Sequence, residues 1–188
     1  MPLSGPAWIR QFPETTNLDD LSEPFRAGAK RFIGALTTAG ATVTITTVYR
    51  PPERAYLMHW CWEIARHQVD PTAVPAMAGV EIQWAHPLAG QRGVDWIASR
   101  RAAAQMVNAY HMIHWAALKT RHTEGKAIDM NIAWEGDLPI AQSDGTRVTI
   151  RSQPRNGNGG NAELLVVAVS YGVHKLVGDR VHWSSDGH

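Results

Sequence analysis

The chain has 188 residues, with 18 Lys and Arg against 17 Asp and Glu and a formal net charge of +1. That balance is too even for a protein held on nucleic acid by neutralising phosphates. With 44% hydrophobic and 19% charged residues it has the composition of a globular domain able to bury a core, and its one cysteine, Cys61, excludes an internal disulfide and a cysteine-built metal cluster.

Taken in order, residues 1–20 carry Pro2, Pro6 and Pro13 without an apolar run, so they read as an N-terminal extension and as neither a secretory signal nor a membrane span. A helix is predicted over 22–38, with Ser22 as cap, Phe25, Phe32, Ile33 and Leu36 on its apolar side and Gly40 at its end. A β-branched run over 41–48 predicts a strand. Pro51-Pro52 then opens a helix to about residue 67, in which Tyr56, Leu57, Trp60 and Ile64 form a buried stripe. Residues 70–93, with Pro71, Pro75 and Pro87, predict an extended loop around a short segment at 80–84 that could rim a cleft, and helical pattern returns over 99–118.

Further on, Ala127-Ile128-Asp129-Met130-Asn131-Ile132 alternates, which puts Ile128, Met130 and Ile132 on one face of a strand and Asp129 and Asn131 on the other. Residues 136–161 read as a loop-rich insertion with a short strand at 148–150 and a Gly/Asn-rich connector at 155–161. A helix over 162–171 closed by Gly172 and a strand over 173–177 complete the series. Helices and strands without regular alternation indicate an α+β fold in one domain spanning 1–188.

Two short segments carry the chemistry. Thr120-Arg121-His122-Thr123-Glu124-Gly125-Lys126-Ala127-Ile128-Asp129 and Asp179-Arg180-Val181-His182-Trp183 together offer two imidazoles, a carboxylate ligand and a spare carboxylate. A hydrolytic zinc ion needs three protein ligands and an open position for a water whose pKa falls to about 7. His122, Asp129 and His182 would fill the three places, and Asp179 is close enough in sequence to His182 to act as the general base. Gly125 lies where the chain must turn between the first two ligands, a position suited to a residue that tolerates positive φ.

The pattern Thr120-x-His122-x-x-Gly125-x-Ala127-x-Asp129, followed by Asp179-x-x-His182-Trp183, resembles the signature of the M15 family of zinc peptidases. That family includes D,D-carboxypeptidases, D-Ala-D-Ala dipeptidases and phage L-alanyl-D-glutamate endopeptidases. Ser is usual where this chain has Thr120, and Asp179 is more similar to the endopeptidases than to the dipeptidases, which use Glu. The resemblance implies a zinc cofactor on His122, Asp129 and His182, catalysis by Asp179, and substrate contacts at Thr120 and Trp183. Arg50, ending the 41–48 strand before Pro51, inherits the role of polarising the scissile carbonyl, and a fixed cation there would suit a developing oxyanion.

By the same resemblance the fold would be a small mixed sheet with flanking helices and zinc in a cleft on the sheet, similar to hedgehog and D,D-peptidase domains. The substrate would be the peptidoglycan stem peptide and the protein a phage or prophage endolysin, with L-alanyl-D-glutamate endopeptidase activity. It would act as a monomer, cytoplasmic until release to the cell wall, with no nucleic-acid partner and no membrane insertion. The alternatives are a D-Ala-D-Ala carboxypeptidase or dipeptidase of wall remodelling and a non-catalytic peptidoglycan-binding module.

Other histidines and tryptophans carry less. His111 and His114 lack the Glu of a His-Glu-x-x-His helix and read as packing residues, His86 and His174 as candidates to line the cleft, and His188 as a neighbour of the metal ligands. Of the eight tryptophans, Trp84 and Trp183 are the cleft candidates and the rest are expected in the core.

Overall fold

The computed structural model describes residues 1–151 and 160–188. They form two compact units, one made of Met1–Pro13 with Pro51–Lys119 and the other of Glu14–Arg50 with Thr120–His188. The N-terminal extension is therefore shared: Leu3 bridges Gln83 in the first unit, and Thr15 bridges Tyr49 in the second.

The second unit carries the strands. Helix α1, Phe25–Thr38, buries Phe25, Ala29, Phe32 and Leu36, the i, i+4, i+7, i+11 series of one helical stripe. It begins three residues later than Ser22, because Pro24 is suited to a helix start and the Ser22 hydroxyl is occupied elsewhere, donating to the Glu124 carbonyl at 2.9 Å. Strand β1, Thr42–Thr47, pairs with β2, Ala127–Ala133, and the register slips between Ile45 and Thr47. β2 also pairs with β6, His182–Ser184, which pairs with β5, His174–Lys175. The sheet order is β1-β2-β6-β5 and every pairing is antiparallel, so the expected mixed sheet is corrected to an antiparallel one.

The predicted alternation of β2 holds. Ile128, Met130 and Ile132 are buried, while Asp129 is only partly buried and Asn131 is exposed on the other face. The loop-rich insertion is corrected as well: Leu138–Ala141 (β3) and Arg147–Ile150 (β4) form a hairpin whose Leu138, Ile140 and Ile150 enter the core. Alternation around Pro139 and a turn at Gly145 explain it, since four-residue strands leave little periodicity to read. Residues 155–159 of the Gly/Asn-rich connector lie outside the described residues. Helix α4, Ala162–Ser170, is capped by Asn161 and adds Leu164, Val167 and Ala168 to the same core.

In the first unit α2, Pro52–Arg66, packs with α3, Trp96–Ala109. Leu57, Cys61, Ile64, Ala103, Met106 and Val107 meet there with Val80, Ile82 and Trp84. α3 starts earlier than predicted because Asp95 caps it, its carboxylate accepting the Ala98 N–H at 2.8 Å. It also ends earlier, with His111 left-handed at φ 54°. His111 and His114 are consequently exposed rather than packed in the core. Among the described residues no helix is long and apolar enough to cross a membrane.

Candidate metal centre

Three side chains from three segments of the second unit meet at one end of the sheet. Asp129 and His182 are direct cross-strand partners in β2 and β6, so the pleat turns both to the same face. His122 comes from the loop before β2. The His122 Nε2 lies 3.2 Å from Asp129 Oδ1 and 3.1 Å from His182 Nδ1, and His182 Nδ1 lies 3.1 Å from Asp129 Oδ1. These three atoms form a nearly equilateral triangle.

The other nitrogen of each ring faces a backbone oxygen. His122 Nδ1 is 3.0 Å from the Val48 carbonyl and His182 Nε2 is 3.1 Å from the backbone oxygen of His188. A carbonyl or ionised carboxylate oxygen can only accept, so each ring donates there and turns a lone pair into the triangle. Two lone pairs and a carboxylate directed at one point require a shared proton or a cation between them. The ligand–ligand edge for tetrahedral bonds of about 2.0–2.1 Å is roughly 3.3 Å, so the observed edges suit a small divalent ion. The group could thus hold a metal ion.

Local sequence explains the arrangement. A bulge at the end of β1 re-aims Val48 so that its carbonyl meets His122, which is only 4% exposed. The loop from Thr120 to Lys126 is closed by Thr123, whose Oγ donates to the Thr120 carbonyl at 2.8 Å and accepts the Thr120 N–H at 2.9 Å. Thr120's own hydroxyl accepts the Thr123 N–H at 3.3 Å, so it also helps to close the loop. Gly125, at φ +65°, leaves no room for a side chain: a Cβ there would stand 2.9 Å from Ser22 Oγ and 3.0 Å from the Asp20 carbonyl. Gly125→Ala should therefore cost about 1–3 kcal/mol from strain and displacement of the loop. Chemical denaturation checks this, and a melting curve within error of wild type would contradict it.

Charge follows the same geometry. Burial opposes ionisation of Asp129, but the hydrogen bonds and charges of His122 and His182 outweigh it and hold the carboxyl well below its ordinary range. Burial also opposes a proton on His182, yet Asp129 outweighs it and raises the ring above its ordinary 6.5. The raised His182 contributes stability below pH 6.5 that is lost as pH rises through its folded value; the depressed Asp129 contributes above 3.8 and loses it on acidification. Metal binding has the opposite sign to the histidine effect, since a ligand imidazole must be neutral. With zinc added, the melting temperature should rise strongly at about pH 8 and little at about pH 5; equal shifts at both would contradict this.

No family model matches the chain, and no curated protein matches it.

The remaining predicted site residues adjoin the triad through its backbone rather than through its side chains. Asp179 Oδ1 accepts the N–H groups of Val181 and His182 at 3.0 and 3.2 Å, so the carboxylate folds back on its own turn. It lines a cavity of about 630 Å³ with Asn131, Leu165, Lys175 and Arg180, and none of the three metal-ligand candidates lines that cavity. Arg50 donates from Nε to Glu14 Oε1 at 2.5 Å, and its backbone N–H reaches the His122 carbonyl at 3.3 Å. Among the described residues neither Asp179 nor Arg50 bonds to a triad side chain through its own side chain.

Trp183 is corrected as a residue of the triad face, although it lines the same cavity as Asp179. It is fully buried, pairs with Ile128 on the core face and lies with its ring centre 5.8 Å from that of Phe32, because the pleat that turns His182 to the triad turns its neighbour inward. Trp84 is likewise buried, donating to the Tyr56 hydroxyl at 3.2 Å. The sequence reading missed Lys175 and Glu14. Lys175 Nζ donates to the carbonyls of Asp179 and His182, tying the turn that carries both, and its place in a two-residue strand carried no motif to find it by.

Proposed function

We propose that His122, Asp129 and His182 hold zinc and that the protein is a zinc peptidase cleaving peptidoglycan stem peptides between L-Ala and D-Glu, as an endolysin. The observation that carries the proposal is the convergence of two lone-pair nitrogens and one carboxylate oxygen at 3.1–3.2 Å, with both ring tautomers set by backbone oxygens. Zinc held there supplies Lewis acidity and a nucleophilic oxygen at neutral pH. In this reading Asp179 accepts a proton through Oδ2, Oδ1 being engaged with the backbone, and passes it to the leaving amine. Arg50 supplies positive charge for the developing oxyanion, kept in place by Glu14. The substrate class rests on the resemblance of the motif.

The non-catalytic alternative draws on a specific observation as well: the Asp179 side chain bonds to its own turn and that of Arg50 to Glu14, and neither bonds to a triad side chain. Mass spectrometry of purified peptidoglycan after digestion by the zinc-loaded protein separates the readings. New L-Ala carboxyl termini and D-Glu amino termini support the proposal. Free D-Ala supports a carboxypeptidase, and intact muropeptides with retained wall binding support the binding module.

A further inference from the structure

We infer that the Arg121–Asp186 ion pair is the positioning device of the metal centre, clamping the loop that carries His122 to the turn that sets the tautomer of His182. The inference rests on the reading of the three side chains as a metal site. Arg121 immediately precedes His122, and its guanidinium engages Asp186 with two nitrogens, Nε to Oδ1 at 3.1 Å and Nη2 to Oδ2. A third nitrogen, Nη1, reaches Glu124 Oε2 at 2.8 Å within the same loop. The fork is therefore anchored on both sides of His122 and joined to a second segment 65 residues away.

On that second segment a continuous chain of bonds runs back to the metal ligand. Asp186 Oδ1 accepts the His188 N–H at 3.3 Å, Ser184 Oγ accepts the N–H groups of Gly187 and His188 at 2.8 and 3.0 Å, and the His188 backbone oxygen receives the His182 ring. The turn needs Gly187, whose φ is +82° and whose Cβ would meet the Lys175 carbonyl at 3.3 Å. A displacement of Asp186 therefore moves the oxygen that holds His182 Nε2–H, and with it the direction of the Nδ1 lone pair.

The alternative for such a pair is an ordinary surface salt bridge. Both side chains are about a third exposed, at 34% and 38%, so the contribution to overall stability should be small. A positioning role acts instead on metal affinity, where outer-shell partners are typically worth about 10- to 100-fold. The two roles thus differ in what they move.

The test uses the full chain as wild type, Arg121→Met, Arg121→Lys, Asp186→Asn and the double variant Arg121→Met/Asp186→Asn. Zinc affinity is read by competition with a chromophoric chelator, ligand geometry by the Co²⁺ absorption spectrum, and the metal-free fold by thermal melting. Arg121→Met and Asp186→Asn should each weaken zinc by about 10- to 100-fold and alter the Co²⁺ spectrum. The double variant should be no weaker than the worse single one, Arg121→Lys should fall between, and the metal-free melting temperature should barely change. Singles within about twofold of wild type, losses that multiply in the double variant, or affinity that falls only in step with metal-free melting would overturn the inference while leaving the metal site standing. A wild-type protein that binds neither Zn²⁺ nor Co²⁺ would overturn the metal reading itself, and the clamp with it.

Discussion

His122→Ala should abolish stoichiometric zinc binding and lower the melting temperature even in chelator. The ring is 4% exposed and its Nδ1–H satisfies the Val48 carbonyl at 3.0 Å, so truncation leaves a buried acceptor without its partner, a cost of about 1–3 kcal/mol. With free zinc at roughly a thousandfold excess over Kd, wild type gains roughly 4 kcal/mol that the variant cannot. The two effects separate cleanly. The first survives in chelator, and the second disappears. Metal content by elemental analysis and melting with and without zinc measure both, and a His122→Ala variant still carrying one tightly held zinc would remove His122 from the ligand set.

Asp179→Asn should lower kcat by about 10²- to 10⁴-fold, the usual worth of a general base, with zinc content and melting near wild type. The structure makes this substitution informative. Asn retains the Oδ1 acceptor that receives the Val181 and His182 N–H groups, so the turn behind the His182 ligand keeps its bonds. Only proton acceptance is lost. Turnover of purified peptidoglycan decides it: full activity in the zinc-loaded Asp179→Asn variant would place the base elsewhere, in keeping with the separate cavity that Asp179 lines.

What the sequence made readable was local pattern. The alternation of 127–132 located Asp129 on the non-core face, Pro51-Pro52 located the start of α2, and the spacing of His122, Asp129 and His182 picked out the three side chains that meet. What stayed hidden depends on partners distant in the chain. The Val48 carbonyl that sets the His122 tautomer is 74 residues away, and no side-chain pattern marks a carbonyl. Trp183 reads as a cleft residue because it adjoins a ligand, although adjacency on a strand is what sends it to the opposite face. The second strand of the β3–β4 hairpin was legible at 148–150, and the first escaped because turn residues and Pro139 dominate its composition. Thr120 matched a motif position, but only the Thr120–Thr123 bonds show that its hydroxyl closes the loop.

The pairing of β1 with β2 has a consequence for how the centre comes into being. The two strands are neighbours in the sheet, yet all of Pro51–Lys119 intervenes in sequence, and the flanking residues Arg50 and His122 are joined by a backbone bond of 3.3 Å. Bringing those flanks together closes a long loop, a penalty that rises by only about 0.6 kcal/mol for each doubling of length when the loop is flexible. A folded segment is stiffer than that estimate assumes, and this one has its later residues tied back to α2, where His59 Nδ1 lies 2.8 Å from the Ala116 carbonyl. Residues gained or lost in the exposed stretch 89–93 of that segment should therefore cost the triad little, whereas losses from its buried helices would not be so confined.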